Sequence, residues 1–153
     1  MVKYEVELLS FQDPERERWE LSPAEQLEAA LRLKASGAEA VQAAEWATAR
    51  AHYREAAGLL EGFAAPEMIF TEREAAEQQA RAALLACRLN EAMVSLKLDD
   101  ARGAEAASTA ALALDAASVK ALFRRGAART QLAETLALTL TLNLTLTLTL
   151  TLT

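Results

Sequence analysis

The sequence predicts an all-α fold, and three observations carry that prediction. Of the 153 residues, 52% are hydrophobic but only 5% are aromatic. Most of the hydrophobic residues are Ala and Leu, which favour helices. Only five Gly and three Pro are present, too little turn chemistry for a sandwich or barrel of many short strands. Helix-capping motifs recur along the chain, and its length suits one domain.

The first 21 residues are the exception to this helical pattern. Val2, Tyr4, Val6 and Leu8 alternate with other side chains, which is typical of a half-buried β-strand. A strand without a partner is not stable alone, so we expect an orphan strand within residues 1–11. A proline and a run of charges then favour a linker at residues 12–21.

Five helices are predicted after the linker. Ser22 and Glu25 form a capping box, so the first helix begins there and is expected to reach residue 43. Gly62 is expected to end the second helix, and Thr71 with Glu74 to cap the third. The expected spans of the second to fifth helices are 45–60, 71–98, 101–114 and 119–133, and their short connections favour antiparallel hairpins.

Small residues recur with the period of a helical repeat. Ala92 and Gly126 are 34 residues apart, and Gly37 occupies the same position one unit earlier. Ala49 and Ala104 match at a spacing of 55, which is 34 plus an insertion of 21. Thirty-four is the tetratricopeptide period, in which paired helices approach closely. The pattern predicts about two and a half repeats in residues 22–134: repeat one at 22–62, an insertion with repeat two at 63–115, and the first helix of repeat three at 118–134.

Four segments of the chain resemble FKBP-type immunophilins. Residues 2–11 (VKYEVELLSF) resemble the closing strand of that family's isomerase domain, and residues 19–22 (WELS) resemble the linker that follows it. Residues 89–98 (LNEAMVSLKL) and 120–126 (KALFRRG) resemble the second and third repeats of its tetratricopeptide domain, and the insertion is shared. The resemblance covers about residues 1–134 and implies a co-chaperone, with an isomerase domain before a module that docks on heat-shock chaperones.

The chain departs from that family pattern at both ends. Only the last strand of the isomerase domain is recognisable, so the resemblance implies no catalytic residue and no isomerase activity in this chain. A Thr-Leu tract replaces the second helix of repeat three, which would leave Leu122 and Phe123 partly uncovered. Two alternatives to a docking module stay open: an inactive fragment of a peptidyl-prolyl isomerase, and a non-functional truncated product.

The resemblance also implies a binding site for an acidic peptide. Domains of this kind hold the Glu-Glu-Val-Asp tail of a cytosolic heat-shock chaperone, here expected to be of the ninety-kilodalton class, in a basic clamp. The implied clamp residues are Lys34, Asn90, Lys120 and Arg124, and the implied groove wall is Met93 and Phe123.

The chemistry of these residues supports the clamp. Lys120 and Arg124 are four residues apart and share one helix face. Each charge-assisted contact to a carboxylate stabilises by roughly 1.5–3 kcal/mol. Ala38 stands where many clamps carry Asn. The alternative is that these cations are solvated surface charges.

Charge and cysteine content limit the remaining function classes. A net charge of −6 does not support nucleic-acid binding. Cys87 is the only cysteine and fits a reducing compartment, while His52, the only histidine, cannot build a metal site. Neither a signal peptide nor an apolar run of membrane-spanning length is present. We expect a cytoplasmic protein without cofactor, metal, nucleic-acid or membrane partner.

The last 19 residues, 135–153, form an uncharged tract in which Leu occupies every second position. Alternation of this kind places all the Leu side chains on one face of a strand and distributes them around a helix. We expect this tail to be strand-like or disordered and a potential route to self-association.

Overall fold

In the computed structural model, which describes residues 21–64 and 68–151, the chain is helical. Its helices are α1 (Pro23–Gln42), α2 (Trp46–Leu60), α3 (Phe70–Lys97), α4 (Ala101–Leu114) and α5 (Val119–Thr151). Each helix packs against the next, and α3 also contacts α1 and α5. The predicted all-α fold of paired helices is confirmed. The strand predicted at 1–11 lies outside the described residues.

The start of α1 is the capping box that the sequence predicts. Ser22 Oγ accepts a hydrogen bond from the Glu25 amide at 3.4 Å, and the Glu25 carboxylate accepts one from the Ser22 amide at 2.9 Å. Pro23 fills the first turn, where its missing N–H leaves no bond unmade. At the other end of the hairpin, α2 is followed by Gly62, whose φ of 70° is the left-handed conformation that glycine favours.

The predicted capping box at Thr71 is wrong, because α3 begins one residue before it. Phe70 is the first helical residue, and Ile69 precedes it without a side-chain hydrogen bond. The Ile69 carbonyl accepts the Arg73 amide at 2.8 Å, so Thr71 is already inside the helix, whereas a cap needs extended backbone. The Arg73 guanidinium lies 5.3 Å from the centre of the Phe70 ring, a cation–π contact that favours this earlier start.

The α1–α2 interface is built on a close approach at Gly37. A Cβ atom at this position would lie 2.8 Å from Cε1 of Tyr53, a ring that is only 2% exposed. Ala49 and Ala56, about one turn before and one turn after Tyr53 on α2, are fully buried in the same core. Trp46 is half-buried against the same core. The small residue at position 37 is therefore a packing requirement, as the repeat pattern predicts.

Two glycine substitutions are expected to have opposite effects on stability. Gly37→Ala should lower the free energy of unfolding by about 1 kcal/mol, because the clash with Tyr53 outweighs the helical preference for Ala. Gly58→Ala, in α2 with nothing within 4 Å of the new Cβ, should raise it by about 0.5–1 kcal/mol. Urea unfolding followed by circular dichroism measures both. Equal signs would contradict the packing argument.

The tail differs most from its predicted conformation. Residues 135–151 continue α5, so the expectation of a strand-like or disordered tail is wrong over this range. Leu favours helix, and extending a helix already formed costs far less than starting one. The Thr hydroxyls bond back to the preceding turn, as in Thr135 Oγ1 to the Gln131 carbonyl at 2.9 Å and Thr141 Oγ1 to the Ala137 carbonyl at 3.0 Å.

Candidate peptide-binding groove

A groove of about 480 Å³ lies between the end of α3 and the start of α5. Its lining combines apolar side chains with cations: Met93, Leu96, Lys97, Val119, Lys120, Phe123 and Arg124. Helices α1, α3 and α5 are neighbours, so side chains on these three helices can share one face of the solenoid. Four of the six residues that the sequence proposes for a site line this groove.

Arg124 is the most constrained cation of the groove. Its Nη1 donates a 2.6 Å hydrogen bond to the carbonyl oxygen of Leu89, one residue before Asn90 on α3. The side chain is half-buried, and this burial lowers the pKa of the guanidinium from its usual value. Four residues earlier, Lys120 is exposed at the groove. The pair therefore presents one donor held by the Leu89 carbonyl and one exposed donor.

Asn90 is held by the core behind it. Its amide forms a hydrogen bond with the side chain of Tyr53, the buried ring that packs on Gly37. Burial raises the pKa of Tyr53, and the Asn90 bond opposes part of that rise. The contact fixes one end of the Asn90 side chain. Its orientation thus depends on the packing of α1 on α2.

Lys34 lies on α1 within electrostatic reach of Cys87, one turn before Asn90 on α3. Burial raises the pKa of the Cys87 thiol to about 11, and the charges of Lys34 and Arg88 oppose part of this effect. The thiol is therefore protonated near pH 7, the form that is the weaker nucleophile. Lys34 is half-buried, and its charge acts on Cys87 of α3.

The proposed clamp residues thus follow one strip across three helices. Lys34 lies near Cys87, Asn90 is one turn further along α3, and Arg124 bonds to the neighbouring Leu89. Met93 and Phe123 line the groove beside them, and Phe123 is 74% exposed. At Ala38 the side chain is exposed and offers no donor. Lys34 and Asn90 do not line the groove itself, and the binding role of all six residues stays a prediction.

Lys97 is a groove cation that the sequence analysis missed. It is four residues after Met93, so both side chains project from the same face of α3. This spacing could have indicated that Lys97 lies beside Met93 in the groove, but many lysines at the end of a helix only face solvent. Leu96 and Val119 were missed for the same reason, since an apolar residue near a turn is not distinctive.

Positive charge in the groove is not neutralised by nearby carboxylates. Within residues 21–64 and 68–151, the ion pairs involve other cations, and none includes Lys34, Lys97 or Lys120. Glu91 follows Asn90 directly but is buried and bonded to Arg54 and Arg88. A carboxylate ligand would therefore meet lysines that no carboxylate of the described residues neutralises, which is the arrangement that favours an anion.

Other kinds of site find no support in the described part of the chain. Its His, Cys, Asp and Glu side chains form no group of three able to hold a metal ion. Its helices include none with the length and apolar character needed to cross a membrane. The groove is thus the principal candidate for function among these residues.

Comparison with known proteins identifies relatives of this chain. Peptidyl-prolyl cis-trans isomerase FKBP4 of Homo sapiens is 36% identical over 127 residues, which cover 83% of this chain and 26% of the relative. The Bos taurus protein of the same name is 35% identical over 127 residues, with the same coverage. The chain therefore spans about a quarter of the length of these relatives. No protein-family model matches it.

A solved structure supports the fold independently. The C-terminal TPR-containing domain of a Plasmodium falciparum FK506-binding protein superimposes with a TM-score of 0.62, covering 80% of this chain and 85% of that one, at 22% identity. At that identity the likeness concerns the fold alone. The described residues are helical and hold no FKBP isomerase domain, although the curated relatives are named isomerases. The chain is thus homologous to FKBP-type immunophilins over most of its length and has the fold of a tetratricopeptide-repeat domain.

Proposed function

We propose that this chain is a docking module for a cytosolic heat-shock chaperone. It binds the acidic C-terminal tail of the chaperone, which ends in Glu-Glu-Val-Asp. The observation that carries the proposal is the strip of donors Lys34, Asn90, Lys120 and Arg124 beside an apolar groove, without a carboxylate to neutralise its lysines. Kinship with FKBP-type immunophilins supports it.

Such a tail matches the groove in chemistry. A C-terminal Asp carries two carboxylates, which can engage several donors at once, and charge-assisted bonds of this kind are stronger than neutral ones. The Val side chain before it is apolar and suits a surface such as Met93 and Phe123. The proposal places this encounter in the cytoplasm, in keeping with a single buried Cys87.

Isothermal titration calorimetry with a peptide ending in Glu-Glu-Val-Asp tests the proposal. Lys120→Glu should weaken binding by about tenfold to a hundredfold, because one charge-assisted contact of roughly 1.5–3 kcal/mol is lost and a repulsion is added. Amidation of the peptide C-terminus should weaken binding in the same direction.

Arg102→Glu is the matched control, because it makes the same charge change at an exposed residue of α4 that lies outside the groove. It should change the affinity by no more than about twofold. Absence of heat from a protein that unfolds cooperatively would contradict the proposed function. So would equal losses for the two variants, since the effect would then be one of net charge.

A further inference from the structure

The outward face of α5 is an uncharged stripe that no other helix of the described chain covers. Residues spaced three and four apart lie on one side of the helix. They form the α5 stripe: Val119, Leu122, Gly126, Thr130, Ala133, Ala137, Leu140 and Leu144. All eight are exposed, whereas Ala121 and Ala128 on the opposite face are buried.

The same helix face is covered in the preceding repeats. The equivalent of Gly126 is Gly37 in α1, against which the Tyr53 ring of α2 packs, and Ala92 in α3, which is fully buried. At Gly126 a Cβ would meet nothing within 4 Å. The difference arises because α5 continues to Thr151 as one helix and does not turn back to pack on this face.

The pattern of the α5 stripe is symmetric about Thr135. Ala133 and Ala137 lie two residues on either side, Thr130 and Leu140 five, and Gly126 and Leu144 nine. In an antiparallel pair of α5 helices with its two-fold axis at residue 135, each of these residues faces its counterpart from the other copy. Small residues then lie opposite large ones, and Ala lies opposite Ala at the centre, as close packing requires.

Charge and hydrogen bonding also favour a second copy of this chain as the partner of the α5 stripe. The charged residues of α5 lie off the stripe, and the nearest, Arg129, is bonded to Glu105 of α4 at 2.7 Å. Thr130, the threonine of the stripe, donates its hydroxyl to the Gly126 carbonyl of its own helix, which leaves mainly methyl and leucine surface for contact. A self-complementary apolar stripe without charge suits a second copy of itself better than an acidic or basic partner.

We propose that two copies of this chain associate through antiparallel pairing of their α5 stripes. The pairing buries Leu140 and Leu144 of each copy and closes the open position at Gly126. The two solenoids lie on opposite sides of the paired helices, because α3 and α4 contact α5 away from the stripe. Lys120, Phe123 and Arg124 of each groove lie outside the stripe, whereas Val119 belongs to both surfaces.

A disulfide experiment tests the register of this pair. Two differently tagged chains, one carrying Gly126→Cys and one Leu144→Cys, are mixed and oxidised. Positions 126 and 144 are about 27 Å apart on one helix, far beyond the reach of about 7 Å for a disulfide, so a bond between them reports two chains. The Gly126→Cys side chain has room, and Cys87 stays buried. We expect a cross-linked heterodimer on a non-reducing gel.

Leu142→Cys is the matched control, because Leu142 is as exposed as Leu144, at 67% against 63%, but lies on nearly the opposite face of α5. Its cross-linking to Gly126→Cys should be several-fold weaker. Equal yields from the two pairs, or no heterodimer in either, would overturn the proposed register.

Sedimentation equilibrium of the unmodified chain tests the association itself. We expect a monomer–dimer equilibrium in the micromolar range, and Leu144→Lys should raise its dissociation constant by at least about tenfold while Leu142→Lys leaves it nearly unchanged. A monomer throughout, a species larger than a dimer, or equal effects of the two lysines would overturn the proposal. Peptide binding by the groove is a separate measurement, so the two proposals fail independently.

Discussion

Replacement of Glu91 by Ala is expected to lower the free energy of unfolding by about 3 kcal/mol. The Glu91 side chain is only 5% exposed and accepts bonds from Arg54 Nε at 3.0 Å and Arg88 Nη1 at 2.7 Å. Arg88 is itself 16% exposed and also bonds to Glu61. Although burial acts to lower the pKa of Arg88, its bonds to Glu91 and Glu61 raise it overall. Loss of Glu91 would leave this buried guanidinium with one partner.

Glu105→Ala is the control for the Glu91 prediction. It removes an ion pair of similar geometry, Arg129 Nε to Glu105 at 2.7 Å, but Arg129 is 62% exposed and Glu105 is only partly buried. Exposed pairs contribute about 0–1 kcal/mol, so the loss should be at most that size. Denaturant unfolding at neutral pH measures both. Similar losses for the two variants would show that burial of Glu91 does not determine its contribution.

Tyr53→Ala is expected to be the most destabilising single change, at about 4 kcal/mol, measured by the same unfolding assay. Tyr53 is the largest of the side chains that are almost completely buried, and it packs between the helices of repeat one. Its removal leaves a cavity at the point where α1 and α2 approach most closely. Tyr53→Phe keeps the ring and removes only the bond to Asn90, so it should cost about 1 kcal/mol.

A double-mutant cycle separates the clash between the methyl group added by Gly37→Ala and the Tyr53 ring from the helix preference of Ala over Gly. Gly37→Ala destabilises the parent chain because its Cβ meets the ring of Tyr53. In a Tyr53→Leu background, which retains enough core to fold, that clash is removed and Gly37→Ala should become neutral or stabilising by about 0.5 kcal/mol. An unchanged cost of Gly37→Ala in both backgrounds would refute the close approach as its cause.

Most of the secondary structure could be predicted because its causes are local. The capping box at Ser22 and Glu25 satisfies the first amides of α1 with residues three apart, so no tertiary information is needed. Two local predictions, the cap at Thr71 and the conformation of the tail, are wrong. Thr71 has the residues of a cap but not its backbone, and the alternating Leu and Thr of the tail fit a strand by periodicity while remaining compatible with a helix.

The candidate groove could be predicted only in part. Lys120 and Arg124 share a helix face by their spacing alone, and family resemblance supplied Lys34, Asn90, Met93 and Phe123. The bond from Arg124 to the Leu89 carbonyl, the support of Asn90 by Tyr53 and the position of Lys97 depend on how three helices pack. None of these contacts leaves a distinctive local pattern.

The sequence by itself determined the helical class, the repeat spacing and the chemistry of the cations, because these depend on interactions within a few turns of one chain segment. Only the tertiary structure decided which charges are paired. The buried Glu91 is paired with Arg54, an exposed side chain 37 residues earlier, while the groove lysines form no ion pair. It also decided that the face of α5 around Gly126 stays open, because a helix that continues straight cannot return to cover it.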